Sequence, residues 1–331
     1  MREHSLIGTA GQVKGGYVSK ELVLPFIPAD KVEDAFPLDV AMQTQRKVFA
    51  AFDRGDAVMG KRGVIPNGSD ASFAYVARAS LNGPTIVKFG SVTNSNPSRS
   101  LPVVQAYICI LDPVTGALSS FIDGESVTRI RTTAASMIAA QALAAQTKNI
   151  VVVGAGLQGI AHARAALELF SPDSLTLAVR KNSDEAKSLE GEFPQVKISN
   201  DIEGSLSKAD LVFLCTNAVE PIVTNSFKKG ATVISIGSFS PNREEVAGEI
   251  VAQSDLIFGD DSATIQTQSG SVIAAINLKP EIANKITSLG ALLNNPSLGR
   301  TSPDQVITYF SVGLGIQDAA IVEKYSEIVN K

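Results

Sequence analysis

The chain has 331 residues, more than one hydrophobic core usually serves, and 44% hydrophobic with 19% charged residues describes a globular protein of two domains. A net charge of -4 leaves no basic field for nucleic acid or an anionic membrane surface, so the expected partners are small molecules and other protein chains. Two cysteines, Cys109 and Cys215, lie in apolar runs and make no disulfide framework, which fits a reducing cytoplasm. The opening MREHSLIGTAGQ lacks the apolar segment of a signal peptide. Ser136, Gln141 and Gln146 interrupt the most apolar stretch, so neither export nor membrane insertion is expected.

Residues 1 to about 20 are polar and glycine-containing, the pattern of a loosely held arm. From Leu38 to Gly55, LDVAMQTQRKVFAAFDRG places Val40, Thr44, Val48 and Phe52 on one helical face, with Gly55 as the stop. ASFAYVARAS, TIVKFGSV, VVQAYICILDP and, past the turn DPVTG, ALSSFIDG read as strands, so the first third is an antiparallel sheet with a helix. From Thr128 the texture changes. Ala-rich RIRTTAASMIAAQALAA is helical, and the apolar strands NIVVVG, SLTLAVR, VKIS, DLVFLCT, ATVISIG and DLIFGD then alternate with helices. Such alternation requires parallel strands with crossover helices, a Rossmann-type doubly wound α/β sheet. The end, TYFSVGLGIQDAAIVEKYSEIV, reads as one long closing helix. The expected division is an α+β domain over 1–128, on which 306–331 packs back, and a dinucleotide-binding domain over 129–305.

Within VVVGAGLQGIAHARAALELF, Gly154, Gly156 and Gly159 spell GxGxxG between an apolar strand and a helix. The first glycine permits the tight turn, the second lets backbone approach a pyrophosphate, and the third brings helix close to strand. With Leu157 and Gln158 between them, they open a helix whose unpaired N–H groups attract phosphate. His162, three residues on, is read as packing within this domain rather than as a base. With His4 the only other histidine and no cysteine cluster, no metal site is expected, and no GxSxG nucleophile motif is present.

An NAD site usually carries an acid about 20 residues past this turn, on the ribose 2'-hydroxyl. Here Val179 stands in that place, and Arg180, Lys181 and Asn182 follow. This favours NADP(H), with NAD(H) as the alternative.

The stretches VKFGSVTNSNPSRSLPVVQAYICILDPVTG, VTRIRTTAASMIAAQALA, GAGLQGIAH, LVFLCTNAVEPIV, ISIGSFSPNREEV and YFSVGLGIQDAA together resemble the ornithine cyclodeaminase/mu-crystallin family, from roughly residue 38 to the C-terminus. That family includes ornithine and lysine cyclodeaminases, bacterial alanine dehydrogenases, reductases of ketimines or cyclic imine-2-carboxylates, and the NADPH-binding mu-crystallin. The resemblance implies a homodimer paired through the antiparallel domain, with substrate in the cleft facing the nicotinamide. It makes Lys88 a substrate-contacting, catalytic lysine and places Arg131 near the substrate carboxylate and the cofactor phosphates. Arg62, in GKRGVIP, would be a further carboxylate-binding and catalytic arginine, and Thr216, Asn217, Val233, Ile236 and Ser311 would contact cofactor. Bidentate arginine suits the carboxylate of an imino or amino acid. Lys88 and Arg131 are expected to face the cleft rather than a core.

In cyclodeaminases the stretch matching GSFSPNR carries an aspartate as acid/base, two residues after its first glycine. Here Phe239 occupies that position; it cannot carry a proton and is expected either to wall the substrate ring or to pack behind the cofactor. The leading expectation is therefore an NAD(P)H-dependent reductase of pyrroline- or piperideine-2-carboxylate type substrates. An amino acid dehydrogenase, an ornithine cyclodeaminase and a non-catalytic NADPH- and ligand-binding protein are the alternatives.

Overall fold

The computed structural model describes residues 24–68 and 70–329; the N-terminal arm and His4 lie outside them. The first elements among the described residues are β1 (Phe26–Ile27), α1 (Ala29–Ala35) and α2 (Leu38–Arg54). The buried stripe of α2 runs through Ala41, Gln45, Val48 and Phe49, while Val40 and Phe52 are only half-buried. The stripe is rotated from the expected line because helices at 124–143 and 315–329 cover α2 from two sides.

Then β2 (Val58–Met59), β3 (Gly63–Asn67), β4 (Asp70–Arg78), β5 (Thr85–Val92), β6 (Val104–Leu111) and β7 (Leu118–Asp123) complete a seven-stranded sheet. Its order is β1-β7-β6-β5-β4-β2, with β3 also on β4, and all pairs are antiparallel except β1 with β7. Strands β1 to β3 escape a periodicity reading: two have two residues each, and the third contains Gly63 and Pro66. Register sets Tyr75, Lys88, Ile108, Ile122 and Ile27 in one row across the inner face.

The inner face is covered by α3 (Gly124–Leu143), which begins five residues before the expected Arg129 because the Asp123 carboxylate accepts the Ser126 N–H at 2.7 Å. Its alanines let it lie deep, touching β6 on one side and β12 on the other, so it links the two sheets.

The second sheet follows: β8 (Asn149–Val153), α4 (Leu157–Phe170), β9 (Ser174–Ala178), α5 (Asp184–Glu192), β10 (Val196–Ser199), α6 (Ile202–Leu206), β11 (Leu211–Leu214), β12 (Thr232–Ser235), α7 (Gly248–Val251), β13 (Leu256–Gly259), α8 (Ser262–Gln268), α9 (Gly270–Leu278), β14 (Ile286–Ser288), α10 (Leu289–Asn294), β15 (Ile307–Phe310) and α11 (Gly315–Val329). Its eight strands are all parallel, in the order β10-β9-β8-β11-β12-β15-β13-β14. The order reverses at β8, between β9 and β11, and ligands of such sheets bind in the crevice beyond the strand ends there.

The closing segment is not a single helix. ITYF is a fully buried strand between β12 and β13, and only from Gly315 does the chain return as α11 onto α2 and β4. Residues 307–310, expected to pack back on the first domain, therefore belong to the parallel sheet; the aromatic and β-branched run favours a strand, and Gly313 at φ 79° breaks any helix before α11. No helix among the described residues is long and apolar enough to cross a membrane.

Candidate functional site

The glycine turn has the geometry its spacing requires. Gly154 sits at φ 101°, and a Cβ there would stand 2.6 Å from the Cys215 carbonyl oxygen; at Gly159 it would stand 2.0 Å from the carbonyl of Gly154. At Gly156, the residue before α4, a Cβ would meet nothing within 4 Å. The outer glycines are thus demanded by packing, whereas the middle one leaves backbone open before a helix N-terminus, where a pyrophosphate fits. Leu157 is half-exposed, and the buried Oε1 of Gln158 has no hydrogen-bond partner in the chain.

At the end of β9 the Val179 side chain turns inward, buried, with its N–H on the Ser199 carbonyl. Arg180, Lys181 and Asn182 form the exposed tip. His162 is fully buried between the Gln158 carbonyl (2.7 Å) and Ser136 Oγ (2.9 Å), and burial pushes its pKa down to about 4. It joins α3 to α4 as a neutral ring, in keeping with the packing role read from the sequence.

Two buried acids that sequence reading missed organise the loops at the strand ends. Glu245 accepts from Thr216 N, Thr216 Oγ1, Ser235 Oγ and Gly237 N, each at 2.7 Å, binding the loop after β11 to the loop after β12. Burial raises its pKa to about 7 against the pull of these bonds. Asp260, just after β13, accepts from Ser311 Oγ (3.1 Å), Val312 N (2.8 Å) and Gly313 N (2.7 Å), and burial raises it to about 6. Of the residues assigned to cofactor, Thr216 and Ser311 are therefore held by these carboxylates, and Asn217 is exposed beside Thr216. Ile236 is half-buried at the end of β12, whereas Val233 lies wholly within the core, inside the strand.

The loop after β15 meets the first sheet at a cluster of charge. Arg62 donates to the carbonyls of Gly313 (2.6 Å) and Val312 (3.2 Å) and lies 5.4 Å from the Tyr75 ring centre. Lys88 Nζ donates to Asp318 Oδ1 at 2.7 Å and to Thr128 Oγ1; Tyr75 donates its hydroxyl to Asp318 Oδ2 at 2.8 Å. Arg131 places Nε 3.7 Å from the same carboxylate and donates to Gln317 Oε1 at 3.3 Å, yet Nε has no hydrogen-bond partner. Three of the sequence-read cations thus converge, but not on an open cleft. Lys88 is 2% and Arg131 7% exposed, around a fully buried acid. From β8 to β15 there are three strand steps of about 4.8 Å, roughly 14 Å in all, so the glycine turn after β8 and the loop after β15 leave the same edge of one parallel sheet.

Phe239 stands apart from this cluster's contacts, 36% exposed, with the Arg243 guanidinium 4.8 Å from its ring centre. Among the described residues no group of His, Cys, Asp and Glu could hold a metal ion. Asp318 and Tyr75 were not foreseen. Their signals were a lone acid in the apolar run SVGLGIQDAAIV and a tyrosine one strand from Lys88.

Comparison with known proteins agrees with this architecture. The ketimine reductase mu-crystallin of Rattus norvegicus is 24% identical over 277 residues, covering 79% of this chain and 86% of that protein. The Thermococcus litoralis Delta(1)-pyrroline-2-carboxylate reductase, solved in complex with NADH and L-proline, superposes with a TM-score of 0.85 at 22% identity, covering 92% of this chain and 97% of that one. An archaeal alanine dehydrogenase dimer with bound NAD gives 0.83 at 23% identity, covering 93% and 96%. The family described as "Ornithine cyclodeaminase/mu-crystallin family" matches residues 28–330, and the chain belongs to it.

Proposed function

We propose that the protein is an NAD(P)H-dependent oxidoreductase acting on C–N bonds, and that it reduces a cyclic imine-2-carboxylate of the pyrroline or piperideine type to the cyclic amino acid. The observation that carries this reading is the pairing of Lys88 and Arg131 with one acid, Asp318, with Arg62 held beside them on the Val312 and Gly313 carbonyls, an excess of positive charge where the loop after β15 meets the first sheet. An anionic substrate balances that excess. When bound, the reduced nicotinamide supplies hydride. The chain's own residues bind the carboxylate through Arg131 and Arg62 and orient the ring. The rat ketimine reductase and the archaeal reductase bound to L-proline support the substrate class. Phe239, roofed by Arg243, offers an apolar surface and no proton, which disfavours cyclodeamination. The cationic tip Arg180-Lys181 with Asn182 supports NADP(H), although both solved relatives named above carry NADH or NAD.

The test is NADPH oxidation with pyrroline-2-carboxylate and piperideine-2-carboxylate, run beside ammonia release from L-ornithine. Catalytic imine reduction without ammonia is expected, with NADPH exceeding NADH in kcat/KM. Ammonia release with no imine reduction would overturn the assignment, a several-fold preference for NADH would overturn the cofactor choice, and silence in both assays favours a dehydrogenase or a binding protein.

The reading includes a homodimer in a reducing cytoplasm. Val76, Val87, Phe89, Tyr107, Phe121 and Phe26 share the outer face of the first sheet, with Tyr107 6.1 Å from Phe89 and 6.3 Å from Phe26 between ring centres. An apolar sheet face of this kind suits a second copy of itself. Light scattering should give twice the 34.7 kDa chain mass, and Phe89→Glu should halve it; a monomeric wild type ends the idea.

A further inference from the structure

Reducing an imine requires a proton on nitrogen as well as hydride on carbon, and the residue at the cyclodeaminase acid position is Phe239. The resemblance makes Lys88 the catalytic lysine, and we propose that Asp318 is the positioning residue that keeps Lys88 charged and aimed to give that proton. The inference rests on the imine-carboxylate reading above.

The geometry is specific. An ammonium has three N–H donors. Thr128 Oγ1 and Asp318 Oδ1 take two of those of Lys88, and among the described residues the third has no partner. Asp318 is anchored in turn from Tyr75, directly opposite Lys88 in the β4–β5 register, and faces Arg131 on its other side. One carboxylate thereby fixes the spacing between the proton donor and the guanidinium that binds the substrate carboxylate. In the transfer, the C=N π pair takes a proton from Nζ to form the N–H bond while the imine carbon receives hydride. Lys88 is left as the neutral amine and regains a proton from water.

The electrostatics agree. Burial lowers the Lys88 pKa to about 8 although Asp318 opposes the fall. The charged and titratable groups acting on it are Asp318 on α11, Arg131 on α3, Arg62 before β3, and Tyr75 on β4. On β6, Tyr107 and Cys109 point to the opposite face. Burial alone would raise the Asp318 carboxyl, but Lys88 and Arg131 hold it below the usual carboxylate range. A donor near 8 is charged at neutral pH and still yields its proton readily. Without Asp318, burial and two arginines would drive Lys88 lower still.

The experiment pairs the pH profile of kcat/KM for NADPH-dependent reduction of pyrroline-2-carboxylate with an NMR titration of the Lys88 side chain in cofactor-free protein. In the wild type the rate should fall with a midpoint near 8 as Lys88 loses its proton, and the NMR midpoint should coincide. Asp318→Asn, which keeps the shape and the Tyr75 bond, should move both midpoints down by about one unit or more. Tyr75→Phe, which keeps the charge, should leave both nearly in place; equal shifts in the two variants would mean a merely structural role. Should the asparagine variant fail to fold, a wild-type NMR midpoint more than about one unit from the kinetic one removes Lys88 as donor. Reduction with an unmoved basic limb in Asp318→Asn overturns the role of Asp318 alone, whereas no imine reduction at all overturns the reductase reading and the proton transfer with it.

Discussion

Replacing Arg131 by alanine should lower kcat/KM for the imine-carboxylate by roughly 30- to 1000-fold, about 2 to 4 kcal/mol for losing the charged partner of a bound carboxylate. The guanidinium is buried, so its interaction with an anion is little screened, and its partnerless Nε has no competing acceptor within hydrogen-bond distance. The fold should survive this change, because Asp318 keeps Lys88 at 2.7 Å and Tyr75 at 2.8 Å. Lys88→Ala is a different matter. It would leave Asp318 with the Tyr75 hydroxyl and, as its one cation, the more distant Arg131 at 3.7 Å, and breaking a buried pair costs about 3 to 5 kcal/mol of stability. Arg131→Ala is therefore expected to spare the fold and Lys88→Ala to weaken it. Melting curves measured beside the kinetics separate the two effects; unchanged kinetics in Arg131→Ala would remove the residue from substrate binding.

Glu245→Ala should cost roughly 2 to 6 kcal/mol of stability, because the N–H groups of Thr216 and Gly237 would each lose an acceptor, at about 1 to 3 kcal/mol apiece. The hydroxyls of Thr216 and Ser235 can turn elsewhere and add less. Freed of this tie, the loops after β11 and β12 should bind NADPH more weakly, measured by fluorescence titration. The pH dependence has a definite sign. Glu245 is raised from 4.5 to about 7 in the folded state, so between those values the native protein holds the proton better than the unfolded chain. This contribution to stability is therefore lost as pH rises from about 4.5 to 7, and the alanine variant should lack it, keeping the loss from Asp260, raised from 3.8 to about 6, and the opposing gain from His162, lowered from 6.5 to about 4. Denaturant midpoints at pH 5 and pH 7 give the comparison. Equal slopes in the two proteins would mean that Glu245 does not titrate in this window.

What could be read from the sequence was what is local. The Gly154 turn, the six apolar strands from β8 to β13 and the helix ending at Gly55 each declare themselves within a few residues. The cationic cluster depends on pairings across 230 positions between Lys88 and Asp318, and Asp318 follows a strand that sequence reading merged into a helix. The single acid in SVGLGIQDAAIV was the available clue, since an unpaired charge does not stay in so apolar a run. Glu245 was harder to see. Its neighbours in NREEV look like a solvated turn, and only the approach of the Thr216 and Gly237 backbones buries it. Val179 was placed correctly along the chain, but periodicity could not show that it turns inward and leaves the exposed tip to Arg180.

The position of β15 between β12 and β13 bears on how the chain is made. A ribosome that has delivered residues up to 306 has released every other strand of the parallel sheet, but β13 and β14 have no neighbour to join them to β12. Two strand edges stay open at the centre of the sheet, the kind of edge on which nascent chains stick to one another. Strand β15 closes that gap and α11, through Asp318, brings the carboxylate to Lys88 on the other sheet. Completion of the sheet and completion of the charge cluster are thus a single event that follows the synthesis of every other strand of that sheet, and a chain lacking β15 and α11 would lose both.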